Sequence, residues 1–178
     1  MHKIESKRLI YRVLTKDDVT DTYVSWLNDP QVNNYLEVKH IHNTIENCDE
    51  FVEKSNNDPA QNLFGIFLRE NQKHIGNIKI GFVNKIHGGA QLSLFIGDTS
   101  CWGKGYATEA IQTISQWGFK NINLKKIEAG CYDVNIGSLR SFLKAGYQVE
   151  GYLRNSVVLD DKRIGSFWLG VLENEVTE

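Results

Sequence analysis

The run AQLSLFIGDTSCWGKGYATEAIQTISQWGFKN, from Ala90 to Asn121, constrains the chain more than any other stretch. Leu92, Leu94 and Ile96 alternate as on a strand, which runs into a loop from Gly97 to Gly105. Beyond the loop, Ala107, Ala110, Ile111, Ile114 and Trp117 recur at helical spacing. A strand that delivers a glycine loop to a helix N-terminus builds an anion site. The first-turn N–H groups lack intrahelical partners there, and the helix dipole adds partial positive charge. Gly103 and Gly105 let the backbone close on a phosphate with no Cβ in the way. A phosphate-bearing ligand is therefore expected at this loop.

The 178-residue chain is 41% hydrophobic and 24% charged, which suits one globular domain spanning residues 1–178. Its net charge of −2, with no basic tract longer than a pair, argues against a nucleic-acid partner. Three cysteines (Cys48, Cys101 and Cys131) form no CxxC pair, which fits a reducing compartment. Charges run through MHKIESKRLIYRV without an apolar core, so no signal peptide is expected. No apolar run reaches membrane-span length. The expectation is a cytoplasmic protein without a membrane partner.

Leu9 to Val13 reads as a first strand. Lys16-Asp17-Asp18 opens a helical pattern with Val19, Tyr23, Trp26 and Leu27 on one face, which ends before Pro30. Asn43-Thr44 caps a second helix. Leu63 to Arg69, His74 to Val83 and Ala90 to Ile96 then form an antiparallel meander with polar turns. After the glycine loop and its helix come a strand at Lys125 to Tyr132 and a short helix at Asn135 to Lys144. Two last strands flank Asp160-Asp161-Lys162. The order β-α-α-β-β-β-α-β-α-β-β is α+β around one mixed sheet.

Three phosphate loops compete for the site. A P-loop needs GxxxxGK followed by Ser or Thr. Gly97 lies one residue too far from Gly103-Lys104, and Gly105 supplies no hydroxyl. A dinucleotide turn needs GxGxxG directly after a strand. Here Thr108 stands where the third glycine belongs, although Glu128 lies about where a ribose-binding acid would be sought.

The third loop fits. Trp102-Gly103-Lys104-Gly105-Tyr106-Ala107 resembles the Gln/Arg-x-x-Gly-x-Gly/Ala loop of the GCN5-related N-acetyltransferases (GNATs), matching at Gly105 and Ala107. The WGKGYATEA wording is similar to the branch that contains ribosomal-protein alanine acetyltransferases and many small-amine acetyltransferases. Asn135-Ile136-Gly137-Ser138 with Lys144-Ala145-Gly146-Tyr147 resembles that family's NxxS…KxGF helix. Glu150-Gly151-Tyr152-Leu153-Arg154 resembles its EGxxR strand. Leu9…Arg12 and Trp26-Leu27-Asn28-Asp29-Pro30…Val32 extend the resemblance over nearly the whole chain.

The resemblance implies a GNAT-like α+β fold. Its central sheet would be mixed, mostly antiparallel and seven-stranded, splayed between strands 4 and 5 and flanked by about four helices. It also implies acetyl-CoA as co-substrate and no metal. Backbone groups of Leu94, Phe95 and Ile96 would take the pantetheine arm, one N–H holding the developing oxyanion. The diphosphate would lie on N–H groups from Trp102 to Ala107, with Lys104 adding charge and Thr108 a hydroxyl. Asn135, Ser138 and Phe142 would face the pantetheine and sulfur. The family's tyrosine acid is replaced by Phe142, which leaves Ser138 as the candidate acid. The strand-4 glutamate is replaced by Gln91, which leaves Glu128 as the candidate base. No base is placed by motif to activate Cys101, so acetyl passes directly to the amine.

Trp26, Asn28, Tyr35 and Glu37 mix aromatic faces with hydrogen-bonding groups suited to an acceptor, and His87 would approach its mouth. SWLNDPQVNNYLE resembles bacterial acetyltransferases associated with surface polysaccharides, which points to the primary amine of an amino sugar or sugar nucleotide. Two alternatives stay open: acetylation of a protein N-terminal α-amine, and a non-catalytic CoA-binding module. A homodimer through exposed sheet edges is also left open.

Overall fold

The computed structural model describes residues 3–177. Its strands are β1 (Ile4–Glu5), β2 (Leu9–Val13), β3 (Asn62–Leu68), β4 (His74–Asn84), β5 (Gly89–Ile96), β6 (Lys126–Tyr132), β7 (Gln148–Leu159) and β8 (Lys162–Leu172). Helices α1 (Asp21–Asn28), α2 (Pro30–Asn33) and α3 (Ile45–Asn57) connect β2 to β3. Helix α4 (Tyr106–Ile122) precedes β6 and α5 (Ile136–Lys144) follows it. The eight strands form one sheet in the order β1-β2-β3-β4-β5-β6-β8-β7.

The α+β architecture is the expected one, with two corrections of count. The sheet has eight strands instead of seven, because Ile4–Glu5 pairs with Ile10–Tyr11 at the edge. A strand of two residues carries no periodicity that a sequence reading can detect. Five α-helices replace the expected four or so, because Pro30–Asn33 is a helix of its own. Asp29 caps it by accepting from the Gln31 N–H, with Pro30 at the first position, where no N–H is needed.

Strand alternation decides which side each helix covers. Phe64, Ile66, Ile78, Ile80, Leu92, Ile127 and Ala129 point to one face, where Ala110, Ile111 and Ile114 of α4 and Phe142 of α5 close the core. Leu63 and Phe95 point to the other face, under Val19, Tyr23, Trp26, Leu27, Val32, Cys48 and Val52. Both long N-terminal helices start on threonines: Thr20 accepts from the Tyr23 N–H, and Thr44 exchanges hydrogen bonds with Asn47.

Every neighbouring strand pair is antiparallel except β5 and β6. Their parallel ladder covers only Gly89–Gln91 against Lys126–Glu128. Strand β5 continues to Ile96 on β4 alone, with Gly76 opposite Ile96. The sheet therefore splits along the second half of β5, between the strands that a count omitting β1 numbers 4 and 5.

Two acceptor candidates turn out to be structural. Trp26 is 8% exposed and packs edge-on against His74 (5.2 Å between centroids) and Phe95 (6.5 Å). Its ring presses on Gly97, where a Cβ would lie 2.1 Å from the indole. Asn28 spends both ends of its amide on Asn43, accepting from its N–H (2.9 Å) and donating to its carbonyl (2.8 Å). This bond pins the chain entering α3. Gly97→Ala is expected to destabilise the fold by about 1–3 kcal/mol through the collision with Trp26. Thermal unfolding, in which each kcal/mol shifts the midpoint by about 2–4 °C at this size, checks it; an unchanged midpoint would contradict the packing.

Candidate active site

The glycine loop is braced from three sides. Asp98 caps the turn Thr99–Cys101 by accepting from the Ser100 N–H (3.0 Å) and hydroxyl (2.7 Å), and it pairs with Lys73. Burial pushes the Asp98 carboxyl upward, but Lys73 and the Ser100 donors outweigh it and bring the pKa down to about 2. Trp102 turns back to donate its indole N–H to the Ile96 carbonyl (2.8 Å). Arg8, from the segment entering β2, donates to the Lys104 carbonyl (2.8 Å) and to Glu109 through its Nε (2.6 Å) and its backbone N–H (2.7 Å). Burial would raise Glu109, yet the donors from Ser6 and Arg8 prevail and hold its carboxyl below the usual value.

Gly103 and Gly105 sit at φ +71° and +80°, the left-handed region that glycine enters without cost to a side chain. Gly105 is the N-cap of α4 and offers no side-chain acceptor, so the first-turn amides stay uncapped. They face a cleft of about 520 Å³ lined by Leu94, Phe95, Ile96, Trp102, Gly103, Gly105, Tyr106, Ala107, Thr108, Asn135 and Ser138. This cleft is the expected cofactor arm. Of the expected cofactor residues, Lys104 is outside the lining; its carbonyl is held by Arg8 and its exposed side chain adds no wall. Phe142 is also outside this arm. It is 2% exposed, packs edge-on against Tyr147 (5.0 Å) and lines a second, adjoining cleft.

A second cleft of about 510 Å³ opens beyond the split, lined among others by Glu37, Lys79, Gln91, Ser93, Tyr132, Ser156, Ser166 and Trp168. It shares Tyr35, Leu36, Leu94, Asn135 and Ser138 with the cofactor arm, so the two clefts meet there. Asn135 caps α5 by accepting from the Ser138 N–H (3.1 Å), which fixes both residues at the junction. Phe82, at φ +53° on the β4 bulge and 73% exposed, forms part of this acceptor arm's rim.

Tyr35 and Glu37 line this second cleft, and Tyr132 joins them. Tyr132 donates its hydroxyl to Glu37 Oε1, and its ring meets Tyr35 edge-on at 6.3 Å. Burial and then the Glu37 carboxylate raise the Tyr132 phenol well above its ordinary value, so it stays a donor. Tyr132 was missed in the sequence, although alternation along β6 places it on the face of Glu128 and Gly130. Glu128 itself is displaced from the junction. It sits at the last paired rung opposite Gln91 and accepts from the Trp168 indole (3.2 Å), outside the cleft lining. His87 lies exposed in the β4–β5 turn, its N–H donating to Asn84 Oδ1 (3.1 Å), and lines none of these clefts.

A helix start with uncapped amides beside a split sheet, with a second cleft meeting the first at the split, has the form of a site for group transfer between two ligands. The Acetyltransferase (GNAT) domain model matches residues 8–148, and the chain belongs to that N-acetyltransferase family. It is 31% identical over 176 residues to the uncharacterized N-acetyltransferase YnaD of Bacillus subtilis (strain 168), covering 98% of this chain and 99% of that one. It is 25% identical over 177 residues to the uncharacterized N-acetyltransferase p20 of Bacillus licheniformis, covering 98% of each. An acetyltransferase (GNAT family) structure from Bacillus anthracis superposes with a TM-score of 0.83 at 25% identity, over 98% of this chain and 100% of that one. A spermidine N-acetyltransferase from Vibrio cholerae, in complex with CoA and spermine, shares the fold with a TM-score of 0.85 at 20% identity, over 96% and 98% of the two chains.

Gly105→Val is expected to lower CoA affinity by at least about 100-fold, since a branched Cβ is strained at this φ and shields the first-turn amides. Calorimetric titration with CoA reads this directly. Near-normal affinity in a folded variant would mean that the phosphate site lies elsewhere.

Proposed function

We propose that the protein transfers acetyl from acetyl-CoA directly to the primary amine of a small acceptor, and that the acceptor is an amino sugar or its nucleotide. The meeting of the two arms at Leu94, Asn135 and Ser138 carries this reading, because donor and acceptor arrive at one point from opposite sides. Acetyl-CoA, when bound, supplies a thioester whose carbonyl an unprotonated amine can attack. The uncapped amides of α4 hold phosphate, and the β5 edge left free beyond Gln91 receives the chain that leads from it.

Ser138 lines both arms and is the hydroxyl proposed to hydrogen-bond the departing sulfur. Glu37 is the carboxylate in the acceptor lining, oriented by Tyr132, and we assign it the acceptor ammonium and its proton in place of Glu128. The amino-sugar preference rests on the rest of that lining. Tyr35, Tyr132 and Trp168 offer ring faces, and Gln91, Ser93, Ser156 and Ser166 offer neutral hydrogen-bonding groups, as a polyhydroxylated ring requires. A polyamine would call for several carboxylates, and among the described residues the acceptor lining carries one.

A thiol-release assay with acetyl-CoA and a panel of amino sugars, amino-sugar nucleotides, peptides and polyamines tests the reading. Amino sugars or their nucleotides should give the highest kcat/KM. Glu37→Gln is expected to lower kcat by about 100-fold, the usual scale for a lost proton acceptor. Ser138→Ala should lower kcat with little change in KM for the amine. A preference for peptides or polyamines would overturn the acceptor class, and unaltered rates in both variants would overturn the assigned roles.

A further inference from the structure

A half-buried lysine on the floor of the acceptor arm has no role in the transfer chemistry described so far. Lys79 lies on β4 between its cross-strand partners Leu63 and Ser93. Its flanking residues Ile78 and Ile80 are fully buried on the opposite face. Its side chain therefore points to the acceptor face, where it lines the acceptor arm and also an adjoining, largely apolar cavity of about 390 Å³ beneath α3. Among the described residues, the charged side chains in these two linings are Glu37 and Lys79 alone.

The two do not neutralise each other. Lys16, Lys39, Lys73 and Lys126 each pair with a carboxylate, whereas Lys79 makes no ion pair within 4.0 Å among the described residues. Asp58 raises its pKa from a distance, but the Asp58 oxygens already accept from the Ala60 N–H (2.9 Å) and Gln61 Nε2 (2.8 Å). Burial is the larger influence and pulls the Lys79 ammonium below the usual lysine value. The ring of Phe51 offers partial compensation, with Nζ 5.4 Å from its centroid. A half-buried cation without a counter-charge loses part of its hydration, and an anion arriving in the cleft offsets that cost. Glu37 meanwhile holds a separate place in the same walls, engaged by Tyr132.

We propose that Lys79 is an anion-recognition residue of the acceptor site, so that the acceptor carries a carboxylate or phosphate in addition to its amine. The acceptor is then a molecule of mixed charge, its ammonium directed to Glu37 and its acidic group to Lys79. This rests on the acyl-transfer reading above and sharpens it: a phosphorylated amino sugar or a sugar nucleotide meets the requirement, while a neutral amino sugar or a polyamine does not.

Matched acceptors test it: an amino sugar against its phosphate ester and nucleoside diphosphate derivative, and an amino acid amide against the free amino acid. For each, KM is read by thiol release, and Kd by calorimetry on CoA-loaded protein, which does not require turnover. Acidic members should bind at least about ten-fold tighter than their neutral counterparts, the scale of one charge-assisted contact. Lys79→Met should abolish that advantage, bringing the acidic members to the level of their neutral counterparts, and Lys79→Arg should retain most of it. The phosphate and carboxylate pairs show which acid is preferred. Equal weakening of neutral and acidic acceptors by Lys79→Met, or an acidic preference that survives it, overturns the proposal. If acidic amines bind through Lys79 but no amine releases thiol, the anion site stands and the acyl-transfer reading falls.

Discussion

The structure depends on where one ladder of hydrogen bonds stops. β5 and β6 pair through Gln91 and Glu128 and then part, while β5 keeps its hold on β4 up to Ile96. A sheet interior does not leave backbone N–H and C=O groups unpartnered without reason, because each is expensive to bury alone. The split is sustained because other groups occupy its two sides. The Trp102 indole takes the Ile96 carbonyl at one end. Phe95 is drawn into the aromatic group of Tyr23, Trp26 and His74, which commits this part of β5 to the N-terminal helices. The remaining edge is available to an extended ligand.

The two helical layers then divide the work. α4 and α5 cover the face that presents the uncapped amides and the Asn135–Ser138 turn. α1 to α3 cover the opposite face and bring Tyr35, Leu36 and Glu37 to the rim of the split. Lys39 on the turn Glu37–His40 pairs with Asp160 at the tip of the β7–β8 hairpin (3.2 Å), so both sides of the acceptor arm are tied together. At the cofactor end Arg8 performs the corresponding task, joining the start of β2 to the loop and the first turn of α4. Surface ion pairs of this kind add little stability individually. Their contribution here is to hold loop geometry near the clefts.

The glycine loop and the helices around it could be read from the chain because their determinants are local. Gly103 and Gly105 specify left-handed backbone, Asn135 specifies a helix cap, and Ala110, Ile111 and Ile114 specify the buried face of α4 within a few residues of one another. The acceptor half was less legible. Trp26 and Asn28 have the chemistry of ligand contacts, yet the ring fills a core and the amide ties down Asn43. Glu128 has the chemistry of a base, yet the Trp168 indole holds it outside the cleft. Residue type names what a side chain is able to do, and only its neighbours decide whether that capacity is spent internally.

From the sequence alone, the order of the longer elements, the left-handed glycine loop and the GNAT resemblance were determined, since each rests on periodicity or backbone requirements that act over short spans. Tertiary structure decided the short edge strand β1, the end of the β5–β6 ladder, the Tyr132–Glu37 pair across 95 positions and the isolation of Lys79. These depend on contacts between segments far apart in the chain. A carboxylate and a phenol meet, and a lysine stands without an ion-pair partner among the described residues, only when the whole sheet has set the distances between them.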